Sequence, residues 1–515
     1  MSAVLSEDLA ASPLVALLGA GSLVDFSTWS HASATRHRAV VARSADGMAW
    51  LLTEQAPERL LVQAIEGKLR TRLQLHLCIT DALDAWLAEG SQSFRALDGL
   101  GTLQAGSEND STAVHELSSK LIAEQTSPAV RLLDAVLHDA LLDGASDIHL
   151  ECDARGAQVR LRIDGVMLGL RRVEGCAMAE QMVSRLKVMA ELDIGERRLP
   201  QDGRFRLRSR GRDIDFRLSI LPSAQGEDAV VRVLDRAALH GDAGPLTLAS
   251  LGFDARQRSA ILAQAQRPHG MLLVTGPTGS GKTTTLYAAI GEINHGHEKI
   301  ITIEDPVEYE LTGVVQVPVN ERKGLSFARG LRSMLRHDPD RVLVGEIRDT
   351  ETAQIAVQAA LTGHLVFSTV HANHALDVIG RFMHLGLDPY NLVSALNAVL
   401  AQRLLRRLCN VCAVPLLPDA RQRQRLAGAP DQALSPRRAV GCTACRGTGY
   451  RGRLAVAELL VLDDTLRDLI VARAPISQIK QAARDQGLRP LADVALDKVR
   501  QGLSTLEEVD RVVAA

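Results

Sequence analysis

Short apolar runs recur between residues 246 and 408 and are separated by longer segments with helical spacing. Such runs, bounded by turn signals, are typical of buried strands. When helices separate the strands, the sheet is mainly parallel and covered on both faces. This part of the chain is therefore predicted to be an α/β domain. Its predicted strands are Met271–Thr275, Lys299–Ile303, Arg341–Val344 and Leu365–Thr369.

The segment from 118 to 236 has a different pattern. Ala129–Leu142 has the apolar spacing of a helix, whereas Asp147–Glu151 and Gln158–Ile163 alternate at period two, as strands do. Asp164-Gly165 follows the second of these strands and is a hairpin signal. This segment is predicted to be a smaller α+β domain.

The remaining parts of the chain differ from these two in composition. The region 1–102 carries a predicted strand, Met48–Leu52, and a predicted helix, Glu58–Leu69, and we expect an α/β domain there. A polar stretch favours a linker over 103–117. We expect the middle α+β domain over 118–236, the α/β domain over 246–408, and a cysteine-bearing, helical region over 409–515.

Arginine occupies every second position from Arg204 to Arg212. If this segment is one strand, all five side chains point to the same face. A solvated basic face is the simpler interpretation for most of them. The alternative is that one or two of them face an anion bound to another subunit.

Composition limits the classes of function. With 515 residues, of which 46% are hydrophobic, the chain can form three or four domains with real cores. A net charge of −2 and an aromatic content of 3% argue against a nucleic-acid partner. No apolar stretch reaches the length of a membrane span, and Leu9–Val24 lacks the basic region of a secretory signal. We expect a cytosolic protein that meets a membrane only through a partner.

The run Gly276-Pro277-Thr278-Gly279-Ser280-Gly281-Lys282-Thr283 fits the P-loop pattern. Its glycines let the backbone aim N–H groups at phosphate oxygens. Lys282 would reach the terminal phosphates, and the Thr283 hydroxyl would ligate Mg²⁺. A predicted strand precedes the loop, and a predicted helix from Thr284 to Ile293 follows it, with its N-terminus facing the anion. The chain is therefore predicted to bind a nucleoside triphosphate through Gly276 to Thr284.

Acidic residues close two of the predicted strands. Glu346 follows the third strand in the Walker B position, and Glu304, Asp305 and Glu308 lie at the end of the second. The carboxyl ends of parallel strands meet at the edge where ligands bind. His371 ends the next strand at the same edge and is a candidate to sense or polarise the γ-phosphate. The alternative, a solvated loop acid, is weaker for Glu304 and Glu346 than for the other two carboxylates.

Four of the seven cysteines form two C-x-x-C pairs, Cys409 with Cys412 and Cys442 with Cys445. In a cytosolic protein this spacing indicates a metal site rather than disulfides. Four thiolates make a closed tetrahedral zinc site, so the metal would be structural. An iron–sulfur cluster uses the same ligands and is the less common alternative. The remaining alternative is that all four cysteines are reduced residues of a hydrophobic core and bind no metal.

Seven short motifs, three in the α/β domain and four upstream of it, follow one another along the chain in the order of a known family. The three motifs are Glu304-Asp-Pro-Val-Glu308, Gly345-Glu-Ile-Arg-Asp349 and Thr362-Gly-His…Ser-Thr-Val-His371. The upstream segments are Ala145-Ser-Asp-Ile-His149, Arg162-Ile-Asp-Gly165, Arg185-Leu-Lys-Val-Met189 and Arg197-Arg-Leu-Pro-Gln-Asp-Gly-Arg204. Together they resemble the secretion ATPases, the motors of type II secretion and type IV pilus assembly. The three motifs resemble the Asp box, Walker B and His box of that family. The resemblance covers about 145 to 453.

The resemblance implies a hexameric cytoplasmic ATPase with an N-terminal adaptor domain, a middle domain and a RecA-like motor. In that family Lys282 and Thr283 would bind phosphates and Mg²⁺, and Glu346 would hold the metal through water. An acid of the Asp box would activate the attacking water, and Glu304 is the first choice, with Glu308 as the second.

The resemblance also implies that arginines of the middle domain reach nucleotide. Arg204 and Arg217 match best. A four-cysteine site occurs in type II secretion members and many pilus-extension members, and pilus-retraction motors usually lack it. Two features depart from the family pattern. His337 stands where glutamine is usual, and the first hundred residues show little of the usual N-terminal pattern.

The leading hypothesis is therefore a homo-hexameric ATPase that uses ATP, Mg²⁺ and a structural Zn²⁺. It would act at the cytoplasmic face of the bacterial inner membrane, with platform and adaptor proteins as partners, and would drive pseudopilus assembly in type II secretion. A type IV pilus extension motor is the alternative within the family. A nucleic-acid translocase and a nucleotide-regulated scaffold with negligible turnover are alternatives from other classes.

Overall fold

The computed structural model describes residues 127–235, 246–427 and 434–513 continuously, with shorter stretches between 23 and 87 and residues 116 and 117. The chain divides into two compact units, Met1–Asp235 and Arg236–Ala515. Residues 103–115 of the predicted linker lie outside the described residues.

The N-terminal part of the first unit contains a small sheet with helices beside it. Its elements are β1 (Leu23–Val24), α1 (His31–His37), β2 (Ala39–Arg43), β3 (Ala49–Thr53), α2 (Arg59–Leu69) and β4 (Leu73–Leu77). The strands lie in the order β1-β2-β3-β4, and β3 and β4 are parallel. The predicted strand at Met48–Leu52 and the predicted helix at Glu58–Leu69 are confirmed as β3 and α2.

The middle domain is built on a larger sheet. Its elements are β5 (Glu116–Leu117), α3 (Pro128–Leu142), β6 (Asp147–Asp153), β7 (Gly156–Ile163), β8 (Val166–Glu174), α4 (Cys176–Met189), β9 (Gln201–Ser209), β10 (Arg212–Ser223) and β11 (Gly226–Leu234). The strand order is β5-β9-β10-β11-β6-β7-β8. Apart from the parallel pair β5–β9, neighbouring strands are antiparallel. Because β5 pairs with β9, the end of the predicted linker belongs to this sheet.

One face of this sheet is apolar and is covered by α3 and α4. Buried residues of both helices form one cluster with inward residues of the strands, such as Phe205 and Phe216, whose rings stack. The predicted hairpin is confirmed. Asp164 and Gly165, with φ of 49° and 82°, form the turn between β7 and β8. Positive φ at both positions matches the right-handed twist of a two-residue hairpin.

The prediction that five alternating arginines share one strand is wrong. Strand β9 ends at Ser209, and Arg210-Gly211 forms a turn with φ of 51° and 72°. Arg212 begins β10 and runs back antiparallel. Only Arg204, Arg206 and Arg208 lie on the same face of one strand. An Arg-Gly pair that continues the alternating pattern conceals the turn in the sequence.

The second unit carries the predicted α/β domain. Its first elements are α5 (Ala255–Ala265), β12 (Gly270–Thr275), α6 (Lys282–Ile293), β13 (Ile300–Glu304), β14 (Val314–Pro318), α7 (Phe327–Met334), β15 (Arg341–Val344), α8 (Thr350–Leu361), β16 (Leu365–Val370), α9 (Asp377–His384), α10 (Pro389–Ala395) and β17 (Leu396–Leu408). The four predicted strands are confirmed as β12, β13, β15 and β16.

The chain continues with β18 (Val414–Pro415), α11 (Ala420–Leu426), β19 (Arg437–Arg438), β20 (Tyr450–Val461), α12 (Asp464–Val471), α13 (Ile476–Asp485), α14 (Leu491–Arg500) and α15 (Leu506–Val513). The main sheet has the order β14-β13-β15-β16-β12-β17-β20 and is parallel except for β20. Strand β20 lies within the predicted C-terminal region 409–515. The predicted boundary at 408 therefore does not separate two sheets.

Both faces of the main sheet are buried, as predicted. Along β12, Met271 and Leu273 pack into one apolar cluster, and Leu272 and Val274 pack into the cluster on the other face. This alternation is the period-two geometry of a strand between two helical layers. Consequently every residue of β12 is buried.

The last helix is attached to the sheet by a buried carboxylate. Glu508 of α15 accepts hydrogen bonds from the backbone N–H of Arg406 at 2.9 Å and from the guanidinium groups of Arg406 and Arg511. Burial opposes ionisation of Glu508, but the two arginines and the N–H prevail and lower its pKa. The ionised carboxylate therefore links α15 to β17.

Candidate active site and metal cluster

The P-loop lies between the buried strand β12 and the helix α6. Gly276 and Gly281 adopt φ of 148° and 81°, a region that disfavours residues with a Cβ. A Cβ on Gly276 would lie 2.5 Å from the carbonyl oxygen of Gln402, so glycine is required there for space as well. Helix α6 begins at Lys282, and its first N–H groups stand at the loop as predicted for an anion site.

The side chain of Lys282 lies against the P-loop itself. Its Nζ donates to the carbonyl oxygens of Gly276 at 3.0 Å and Pro277 at 3.1 Å. Burial lowers the pKa of Lys282, and the negative charge of Glu346 opposes this shift. Thr283 and Thr284 are partly buried in the first turn of α6. The predicted phosphate-binding residues therefore form one continuous turn and helix start.

Glu346 and His371 meet at the same edge of the sheet, where β15 and β16 end. One carboxylate oxygen of Glu346 lies 2.5 Å from the guanidinium of Arg348, and the other lies 3.7 Å from Nε2 of His371. Burial and then the charge of Lys282 lower the pKa of His371, against the opposing effect of Glu346. The imidazole is consequently neutral at pH 7. The structure thus brings three of the predicted site residues, Lys282, Glu346 and His371, into mutual electrostatic range.

Glu304, the residue expected to be the general base, has a buried and hydrogen-bonded carboxylate. This carboxylate, at the end of β13, is only 2% exposed. Its oxygens accept hydrogen bonds from the hydroxyl groups of Tyr287 and Thr302, and Gln316 Nε2 donates to it at 3.3 Å. A general base has to reach the attacking water. Glu308, the second choice, is exposed at the same loop.

The two predicted arginines of the middle domain stand directly opposite each other. Arg204 on β9 pairs with Arg217 on β10. Arg217 in turn pairs with Arg232 on β11, and Arg232 pairs with Asp147 on β6. A further neighbour, Arg162 on β7, also faces Asp147. We call this set, Arg204, Arg217, Arg232, Asp147 and Arg162, the arginine row.

The arginine row differs from its surroundings in charge balance. The next arginines on β9 have carboxylates opposite them: Arg206 donates to Asp215 at 2.8 Å and Arg208 to Asp213 at 2.7 Å. Those pairs match the simpler interpretation, a solvated face. Within the row, Asp147 is the one carboxylate among four arginines. Arg204 and Arg217 are like charges on directly opposed strand positions, and such charges repel.

The four predicted metal ligands come together. The Sγ atoms of Cys409, Cys412, Cys442 and Cys445 all lie within 4.8 Å of one another. Three of the separations are 3.7 to 3.9 Å. With Zn–S bonds of about 2.3 Å, a tetrahedral site places its sulfurs about 3.8 Å apart. The arrangement therefore fits one four-coordinate metal ion with no open position.

Backbone N–H groups also support these thiolates. Gly441 N–H donates to Cys412 Sγ at 3.3 Å, and Gly449 N–H donates to Cys445 Sγ at 3.2 Å. Gly441 has a φ of 105°, and a Cβ there would lie 2.4 Å from the carbonyl oxygen of Gly447. The tight turn beside Cys442 therefore requires glycine at position 441. The backbone N–H groups of this segment point at the cysteine sulfurs.

Three residues near the P-loop were not singled out from the sequence. Arg348 pairs with Glu346, Gln402 bonds to the P-loop, and Arg403 donates to Asn373 O at 3.0 Å. Arg348 follows the Walker B glutamate by two residues, so proximity in sequence could have indicated it. Gln402 and Arg403 lie on β17, and the only sequence signal is a polar pair that interrupts the apolar run Ala398–Leu405.

None of the helices that the structure describes combines the length and the apolar character required to cross a membrane.

Comparisons with known proteins agree with these motifs. The family model described as T2SSE, Type II/IV secretion system protein, matches residues 122–511. The Vibrio cholerae protein named type II secretion system ATPase E is 47% identical over 394 residues, covering 76% of each chain. The Myxococcus xanthus type IV pilus assembly ATPase PilB is 41% identical over 445 residues, covering 86% of this chain and 77% of that protein.

Among solved structures, the Legionella pneumophila ATPase DotB superposes with a TM-score of 0.53 at 21% identity, covering 74% of this chain and 94% of DotB. This likeness bears on the fold alone and agrees with the predicted RecA-like motor. The family match covers more than half of the chain, and the resemblance inferred from the motifs is confirmed. The chain belongs to the Type II/IV secretion system protein family and is an ATP-hydrolysing enzyme.

Proposed function

We propose that this chain forms a hexamer that couples ATP hydrolysis to pseudopilus assembly in a type II protein secretion system. The observation that carries the proposal is the meeting of Lys282, Glu346 and His371 beside a P-loop, in a member of the secretion ATPase family. In this proposal Gly276 to Thr284 hold the phosphates, and Thr283 and Glu346 hold Mg²⁺, the latter through water. Mg²⁺ neutralises charge on the β- and γ-phosphates.

The same proposal includes the cellular location of the protein and the role of each of its domains. The protein works in the cytoplasm, at the inner face of the inner membrane, and reaches the membrane through platform and adaptor partners. Residues 1–102 serve as the adaptor domain, 118–236 carry the arginines, 246–408 form the motor, and 409–515 hold the metal. Family membership supports this assignment.

A type IV pilus extension motor is the second candidate, and the likeness to the Myxococcus xanthus PilB favours it. The four-cysteine cluster is compatible with either machine. A nucleic-acid translocase is weaker, because a net charge of −2 supplies no electrostatic footprint for phosphate backbones.

The cellular function is tested with Glu346→Gln in a strain that lacks the chromosomal copy. The variant keeps the P-loop and is expected to bind nucleotide normally, but it lacks the charge that holds Mg²⁺. Turnover should therefore be lost, and proteins exported by type II secretion should remain in the periplasm. The control is Glu507→Gln, which makes the same change at an exposed position of α15 and should restore secretion. Normal secretion with loss of pili would support the pilus motor instead.

The identity of the general base that activates the attacking water is tested by comparing Glu308→Gln with Glu304→Gln. Because Glu308 is exposed and Glu304 is buried in a hydrogen-bonded network, we propose Glu308 as the base. Glu308→Gln should lower kcat by about 10²–10⁴-fold, with ATP affinity retained. Glu304→Gln keeps the size of the side chain and should lower kcat less. Steady-state phosphate release and nucleotide titration measure both effects, and a larger loss in Glu304→Gln would restore the original assignment.

The arginines are tested by mixing inactive subunits. We propose that Arg204 and Arg217 contact nucleotide bound by a neighbouring subunit, as arginine fingers do. An arginine finger raises the rate of hydrolysis by about 10³–10⁵-fold. Arg217→Ala and Lys282→Ala are each expected to be inactive alone. Mixed rings contain some sites with both groups, so activity should return in part. The control is Arg206→Ala, whose side chain is paired with Asp215 and which should stay active. No recovery at any ratio would contradict action across an interface.

The metal is tested with Cys442→Ser. We propose that the cysteine cluster holds one Zn²⁺ per chain and stabilises the segment between the two C-x-x-C pairs, where metal binding supplies much of the folding free energy. Elemental analysis should find about one zinc per wild-type chain and much less in the variant. Thermal unfolding of the variant should begin at a lower temperature, with nucleotide binding retained. Cys176→Ser, at an exposed cysteine of α4, is the control and should keep its zinc. Iron in place of zinc would contradict the assignment.

A further inference from the structure

Gln402 connects the middle of β17 to the P-loop through both ends of its amide. Its Nε2 donates to the carbonyl oxygen of Ser280 at 2.7 Å, and its Oε1 accepts from the hydroxyl of Thr285 at 2.8 Å. The residue is 1% exposed, and Thr285 is equally buried. One side chain thus joins the last turn of the P-loop to the first turn of α6.

The backbone of the same residue bounds the other end of the loop. The carbonyl oxygen of Gln402 is the atom that a Cβ on Gly276 would meet at 2.5 Å. At the far end of the loop, a Cβ on Gly281 would lie 3.1 Å from Nε2 of Gln402. Residue 402 therefore sets the space available to the first and the last glycine of the P-loop.

The loop binds phosphate only if its N–H groups point into one concave surface. Glycines make this curvature possible, but they do not select it, because glycine also adopts many other conformations. Lys282 restrains the loop from within the motif, and a side chain bonded to it from another strand restricts its shape further. Both hydrogen bonds of Gln402 are buried, so opening either one leaves an unsatisfied polar group away from water. This penalty opposes any alternative shape of the loop.

We propose that Gln402 is a positioning residue for nucleotide: it holds the P-loop in the conformation that binds phosphate. The proposal rests on the ATPase function and goes beyond it, because it assigns a role to a residue outside the nucleotide-binding motifs. It does not place Gln402 in contact with phosphate. A role in general stability is the competing interpretation, and the same strand supplies a matched residue to separate the two.

That matched residue is Asn397, near the start of β17. It is also a buried amide with two side-chain hydrogen bonds: its Nδ2 donates to His269 O at 2.8 Å, and its Oδ1 accepts from Arg267 at 3.1 Å. The bonds of Asn397 restrain the start of β12, whereas those of Gln402 restrain Ser280 of the P-loop and Thr285 of α6. Removing either amide costs two side-chain hydrogen bonds, buried at Gln402 and partly buried at Asn397, but only those of Gln402 touch the P-loop.

The experiment compares Gln402→Met with Asn397→Leu in the full-length chain, since both changes keep the shape of the side chain and remove its hydrogen bonds. Affinity for a fluorescent ATP analogue with Mg²⁺, kcat, KM and Tm are measured. Both variants should lower Tm. Gln402→Met should raise Kd and KM by about tenfold, the effect of roughly one to two net hydrogen bonds, with kcat within about threefold of wild type. Asn397→Leu should leave Kd and KM unchanged. Equal effects of both variants on Kd, or none from Gln402→Met, would overturn the proposal.

A second pair of variants approaches the same bond from its donor and covers the case in which Gln402→Met does not fold. Thr285→Val removes the hydroxyl and should raise Kd severalfold, whereas Thr285→Ser keeps it and should bind nearly as wild type does. In the double variant Gln402→Met/Thr285→Val, Kd should be no higher than in Gln402→Met alone, because the shared bond is lost only once. Fully additive effects, or equal Kd values for Thr285→Val and Thr285→Ser, would contradict the proposal. Wild type measured alongside must hydrolyse ATP; its failure would reject the ATPase function rather than the role of Gln402.

Discussion

The position of β12 at the interior of the main sheet is the constraint on which the structure of the second unit depends. This strand is hydrogen-bonded to β16 on one side and to β17 on the other, and all of its side chains are buried. Its path is therefore fixed, and the chain that leaves Thr275 enters the P-loop in one direction. The same edge receives the ends of β15 and β16, which deliver Glu346 and His371. Thr275 also binds the segment after His371, since its hydroxyl donates to Ala372 O and accepts from Ala372 N–H, both at 2.9 Å.

The charges at this edge depend on that geometry. Lys282 is buried against the P-loop, so its charge stands where phosphate is expected, whereas the charge of Arg348 is paired with Glu346. The lowered pKa of His371 keeps its imidazole neutral at pH 7, which leaves one N–H donor without an added charge. A neutral donor can orient a γ-phosphate without competing with Mg²⁺ or Lys282 for the dominant electrostatic role. In the proposed function, His371 would therefore sense the γ-phosphate rather than compensate its charge.

The sequence was informative wherever local pattern determines structure. The P-loop, its flanking strand and helix, the strand before Glu346 and the cysteine spacing are local signals, and each was found where predicted. The buried, hydrogen-bonded position of the Glu304 carboxylate could not be predicted. It depends on Tyr287, Thr302 and Gln316, and two of these lie on other elements that meet Glu304 only in the folded sheet. The opposition of Arg204 and Arg217 depends on strand register, which a hidden two-residue turn determines. Gln402 carries no local motif, because its function is defined by a partner more than one hundred residues away.

Strand β17 extends from the nucleotide site to the metal cluster. Gln402 bonds to the P-loop, Arg406 bonds to Glu508 of the last helix, and Cys409 follows the end of the strand directly. Seven residues of extended chain span about 23 Å. Because β12 and β20 pair with β17 on its two sides, a slip of the strand would break both ladders and reverse its buried faces. Pairing with β12 up to Ala401 and with β20 up to Leu408 therefore fixes the register of β17. In the proposed function, this one strand would connect the nucleotide site to the last helix and to the cysteine cluster.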